Sequence, residues 1–126
     1  MQTKLLYLSD LKFNLDVWKR ELKFHINEMN EFEEKLEEIA SRGLGDVAMR
    51  PLEGFQNKII REREVIGQLL QRIRRKRNII ETADLNEELD GRLRNEQHPL
   101  HEDMKIYIKL HYEMKENIMD FLLKWL

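Results

Sequence analysis

The sequence contains no cysteine. That removes disulfides, thiolate metal sites and cysteine nucleophiles, and it fits a reducing compartment. Proline occurs twice and glycine five times in 126 residues, too few for a chain of short strands joined by tight turns. Serine is present only as Ser9 and Ser41, both at expected helix ends, so no Ser-His-Asp arrangement has a nucleophile to organise. No apolar run approaches the roughly 20 residues of a membrane span. The stretch from Met1 to Asp10 lacks the long apolar run and the small-residue cleavage site of a signal peptide. A cytoplasmic protein is therefore expected. Charge of one sign is also lacking: 22 Lys and Arg against 24 Asp and Glu give no bulk preference for nucleic acid or for an acidic partner.

What is present is charge in quantity, 37% of residues, interleaved with Leu and Ile at helical spacing. This composition is that of long helices, and the length suits one domain with a modest core. The longest signal runs Leu8, Leu11, Leu15, Trp18, Leu22, His25, Met29, Phe32, Leu36, Ile39, an a/d heptad series with one polar member. It predicts a first helix over about 3–41, closed by Arg42-Gly43-Leu44-Gly45, whose glycines can take the left-handed cap conformation. A second seam reads Leu52, Phe55, Ile59, Glu62, Ile66, Leu69, Ile73, Lys76, Ile80 and predicts a helix over about 47–81. Asp46 suits its N-cap, and Pro51 requires either a late start or a kink. Periodicity weakens over about 82–97, where Leu85, Leu89 and Leu93 fit either a short helix or an acidic connector. A third helix over about 98–126 starts with Pro99 in the first helical position. Its seam is Leu100, Met104, Tyr107, His111, Met114, Ile118, Phe121, Trp125. The fold class expected is all-α, an antiparallel three-helix bundle of long coiled-coil-like helices.

Two helices carry more apolar surface than one seam consumes. At about 100° per residue, Leu6, Phe13, Val17 and Phe24 form a second stripe on the first helix, and Ile108, Tyr112, Met119 and Leu123 form one on the third. These eight residues are the expected interface of a homodimer, or of a complex with another helical protein.

Lys76 lies near the end of its helix, where its stem can reach solvent; the other polar members of the seams fall near one height. With turns centred near Gly45 and Asp90, antiparallel helices place His25, Glu62 and His111 within about one turn of a common cross-section. Two imidazoles and a carboxylate suit zinc or iron, and bundle cores are where such sites are built. The Glu-x-x-His motifs of ferritin-like di-iron proteins are absent, because Leu22, Asn95, His98 and Ile108 stand three residues before the four histidines. The alternative is a hydrogen-bonded layer that fixes helix register. A dense basic run spans Arg72, Arg74, Arg75, Lys76 and Arg77. Lys58, Arg61, Arg72 and Arg75 share an outer face that could track phosphates. No aromatic residue interleaves to stack bases, and acids of the connector can neutralise the face.

No motif ties the chain to a characterised activity. The expectation is a non-enzymatic helical scaffold or protein–protein interaction module, without catalytic residues, metal or cofactor. The alternatives are a metal or ligand site at His25, Glu62 and His111, and nucleic-acid binding through Lys58, Arg61, Arg72 and Arg75.

Overall fold

The structure, a computed structural model, describes the backbone of residues 2–82 and 87–126, and the side chains of residues 10–82 and 97–126. The described residues form three helices, α1 (Gln2–Ala40), α2 (Asp46–Thr82) and α3 (Glu87–Trp125). Each packs against both others. Asp16 pairs with Arg77, and Glu33 with Arg63 at 2.6 Å, so α1 and α2 run antiparallel. Glu62 meets His111 and Arg72 meets Asp103, so α2 and α3 do as well. Consequently α1 and α3 are parallel, and their contacts climb together: Leu11 with Gln97, Trp18 with His101, His25 with His111. The chain is an all-α, up-down-up three-helix bundle. Among the described residues, no helix is long and apolar enough to cross a membrane.

The core is the three seams meeting. Leu15, Leu22, Met29, Leu36, Ile39, Leu52, Ile59, Leu100 and Ile118 are wholly buried. Trp18, Phe32, Phe55 and Trp125 lie half-buried against them. Burial at about 25 cal/mol per Å² of apolar surface is what holds three helices of this charge density together.

The α1–α2 turn is built on two left-handed glycines, Gly43 (φ 64°) and Gly45 (φ 82°), a conformation costly for any residue with a Cβ. Gly45 supplies the carbonyl that accepts from Met49 N–H at 3.0 Å, so the N-cap position is Gly45. Asp46 lies within the first turn, where its charge meets the helix dipole favourably. Pro51 sits inside α2, neither at a late start nor beyond it. The third helix corrects a boundary. It begins at Glu87 and carries Pro99 in its interior, because Gln97, ahead of the proline, already continues the seam of Leu100. Gln97 and Leu100 are both buried there. Leu85, Leu89 and Leu93 lie outside the described side chains.

At the far end of the bundle, α1 and α3 finish together. The Arg42 guanidinium donates to the Trp125 carbonyl at 2.9 Å and lies 3.8 Å from Glu38. A cation from the α1–α2 turn thus caps the carbonyl end of α3.

Candidate functional site

Parallel α1 and α3 with a sequence offset of 86 bring residue 25 level with residue 111. The two imidazoles are wholly buried and stack face to face, centroids 3.8 Å apart and planes 7° from parallel. Glu62 reaches them from α2, its Oε2 2.9 Å from His111 Nδ1. The three seam interruptions therefore occupy one layer, fed by all three helices.

Five further residues complete it, of which the seam reading held only Tyr107, and that as an apolar member. Glu28 Oε1 lies 3.2 Å from His111 Nε2, and Lys115 Nζ donates to the other oxygen of Glu28. Glu21, one turn before His25 on α1, places Oε1 3.0 Å from His25 Nε2. The Tyr107 hydroxyl lies 3.1 Å from His25 Nδ1. Tyr112 sets its ring edge-on to both imidazoles at 5.9 and 5.8 Å, under the Lys115 ammonium. Glu28 and Glu62 each retain only 13% of their side-chain exposure. Glu21 and Glu28 flank the α1 seam on the edge turned to α3, and Lys115 flanks the α3 seam on the edge turned to α1.

The acceptors around each ring assign its protons. Both His111 nitrogens face carboxylate oxygens, which accept only, so His111 is an imidazolium donating to Glu62 and Glu28. Burial opposes that charge, but hydrogen bonds to Glu62 and Glu28 outweigh it and raise the His111 pKa above 6.5. His25 is held below 6.5, first by burial and then by the His111 charge stacked against it. A neutral His25 donates from Nε2 to Glu21 and accepts at Nδ1 from the Tyr107 hydroxyl. The phenol keeps its proton: burial, then the negative charges of Glu62, Glu21 and Glu28, push its pKa far up. Burial would raise the Glu28 carboxyl, yet hydrogen bonds from Lys115 and His111 bring it below 4.5. Three carboxylates and two cations thus share one closed network in which every imidazole nitrogen has a partner.

No family model, curated protein or solved structure matches the chain. What the layer can do must be read from its chemistry. The donor atoms of His25, Glu28 and His111 lie within 4.8 Å of one another, so Glu28 rather than Glu62 completes the group with metal-like spacing. The rings, however, are parallel. Imidazole coordinates in its own plane at about 2.0–2.1 Å, whereas an ion shared by both rings would stand roughly 2 Å outside each plane. Binding would require turning a ring and breaking bonds to Tyr107, Glu21, Glu28 or Glu62. As built, the layer is a protonic, charge-compensated network that joins all three helices.

The other sequence-predicted residues fall in two places. On α1, Phe13 and Phe24 are 62% and 53% exposed, with Val17 exposed beside them. On α3, Leu123 is 85% exposed, Tyr112 and Met119 are exposed, and Ile108 is half-buried against the core. Leu6 lies outside the described side chains. At an offset of 86, Phe13 to Phe24 stand level with residues 99–110 and Tyr112 to Leu123 with residues 26–37. The two stripes follow one another along the bundle and overlap at Ile108, which stands level with residue 22. The basic face is interrupted: Arg72 is bonded to Asp103 at 2.6 Å, while Lys58, Arg61 and Arg75 are exposed. Among the described residues the counter-charge to Arg72 comes from Asp103 of α3; the acids of the connector lie outside the described side chains.

Lys58, Arg61 and Arg72 form the α2 wall of a cleft of about 510 Å³ between α2 and α3. Val65, Leu69, Ile106, Leu110 and Met114 line it, Asp103 and Glu113 stand on the α3 wall, and Glu62 with Tyr107 connect it to the buried layer. Ile106 and Leu110 keep 58% and 54% exposure. The seam reading missed them because it searched one flank of α3, and they lie on the other, one turn apart.

Proposed function

We propose that the chain is a non-enzymatic helical interaction module that receives a helical partner against its α2–α3 face. One observation carries this reading. Ile106 and Leu110, stacked one turn apart at the mouth of an apolar cleft, remain more than half exposed. An amphipathic helix laid in such a groove contributes anchors at i, i+3/i+4 and i+7, and exposed apolar clusters rimmed by charge mark contact surfaces. The buried layer serves this by holding the three helices in one register, so that the two walls of the cleft keep their relation. Against a metal reading stands the parallel stacking of the two imidazoles. Against a nucleic-acid reading stand Asp103 and Glu113, facing the basic wall. The exposed positions of α1 and α3 offer a further face to a partner.

Photo-crosslinking in the native cell tests the proposal. A crosslinker at position 106 or 110 should yield adducts to another chain, while one at the exposed Glu34 should not. Only intramolecular products at 106 and 110 would overturn it.

A further inference from the structure

The geometry points to the occupant of the α2–α3 cleft: a second copy of this chain, laid cleft to cleft by a two-fold axis parallel to the helices. The inference rests on the interaction-module reading and deepens it by naming the partner. The cleft is self-complementary in level. Because α2 and α3 run antiparallel, with 62 beside 111 and 72 beside 103, residue numbers on the two walls sum to about 174 at each height. Val65 and Leu69 therefore stand level with Ile106 and Leu110. An axis parallel to the helices places α2 of one copy over α3 of the other without changing height, so apolar side chains meet apolar side chains.

Charge selects this axis over the other possible one. The α2 wall carries Lys58, Arg61 and Arg72 and the α3 wall carries Asp103 and Glu113. The parallel axis sets Arg61 against the partner's wall at Glu113 and Arg72 against it at Asp103. An axis across the helices would instead lay α2 on α2 and α3 on α3, juxtaposing Lys58 with Arg72 and Asp103 with Glu113, and like charges at that range oppose association. Arg61 and Glu113 have no ion pair among the described residues, although they share a height. The face is long enough: α2 has 37 residues, about 55 Å at ~1.5 Å per residue. Two helices of that length can supply the roughly 800 Å² per partner of a standard interface, with the apolar cleft as its centre and charges as its rim.

The test is charge reversal with complementation, read by sedimentation equilibrium on the full chain at low salt. Wild type should show a concentration-dependent monomer–dimer equilibrium. R61E and E113R, both surface changes that leave the helical signal and melting intact, should each weaken it about tenfold or more. An equimolar mixture of the two variants should regain wild-type association, because both Arg–Glu contacts are then restored across the axis. A wild type that stays monomeric, a dimer indifferent to both substitutions, or a mixture that fails to recover would overturn the inference. If the purified chain is monomeric while positions 106 and 110 crosslink to a different protein in the cell, the inference falls and the interaction-module reading stands. Intramolecular crosslinks alone would remove both.

Discussion

Replacing His111 by leucine probes the buried layer at its centre. The imidazolium donates to Glu62 and to Glu28, and both carboxylates are nearly enclosed. Leucine fills a similar volume but takes the imidazolium away from Glu62, while Glu28 keeps Lys115. Breaking a buried ion pair from one side costs about 3–5 kcal/mol, because the remaining charge is stranded. Against a total stability of about 5–15 kcal/mol, that is a large fraction, and for a domain of this size it lowers the melting temperature by roughly 10–20 °C. Urea melts at pH 7 followed by far-UV circular dichroism read it as a fall in midpoint at unchanged slope. Removing the stranded acids should then reverse the effect: adding Glu62→Leu and Glu28→Gln recovers most of the loss, since a buried charged cluster replaced whole by apolar groups is often neutral or stabilising. H111L within about 1 kcal/mol of wild type, or a combined variant less stable than H111L alone, would refute the reasoning.

The same network makes stability depend on pH in both directions. His111 is raised above 6.5, so its contribution is fully present below the unfolded value and is lost as pH rises through the folded one. His25 is lowered below 6.5, so stability is lost as pH falls from 6.5 towards its folded value, and Glu28, lowered below 4.5, adds a further loss in more acidic solution. The layer's contribution should peak near pH 6.5 in denaturant melts across pH 4–9, and H111L should flatten the alkaline limb. Tyr107→Phe removes the donor to His25 Nδ1 and should cost about 1–3 kcal/mol, measurable as a urea-midpoint shift. Gly43→Ala, at φ 64° with nothing within 4 Å of the added Cβ, should cost roughly 1 kcal/mol through backbone strain alone; a thermal melt checks it, and a stabilised variant would contradict it.

How much of this was legible in the residues can be followed position by position. The seams were readable because each helix buries one stripe, and an a/d spacing names its members without knowledge of neighbours. The common height of His25, Glu62 and His111 followed from the same seams and from counting back across two turns. Glu21, Glu28 and Lys115 were not readable. They lie beside the seam, and which edge of α1 faces α3 depends on the handedness with which three helices surround their axis, which no heptad records. In the sequence nothing in its spacing separates Glu28 from Glu31 and Glu34, which follow it at helical intervals. Tyr107 counted as apolar in the seam, and its hydroxyl gained meaning only once His25 was known to stand beside it. Pro99 signalled a helix start, since proline suits that position, but α3 begins at Glu87 and the buried Gln97 ahead of the proline continues its seam.

The proton arrangement of the two stacked imidazoles is the most direct test of the account, and ring-nitrogen NMR at pH 6.5, with and without one equivalent of zinc, measures it. The account predicts a His111 ring with protons on both nitrogens and a His25 ring protonated at Nε2 only, each unchanged by zinc. Two rings titrating alike, or both losing protons and shifting together with stoichiometric zinc, would contradict it.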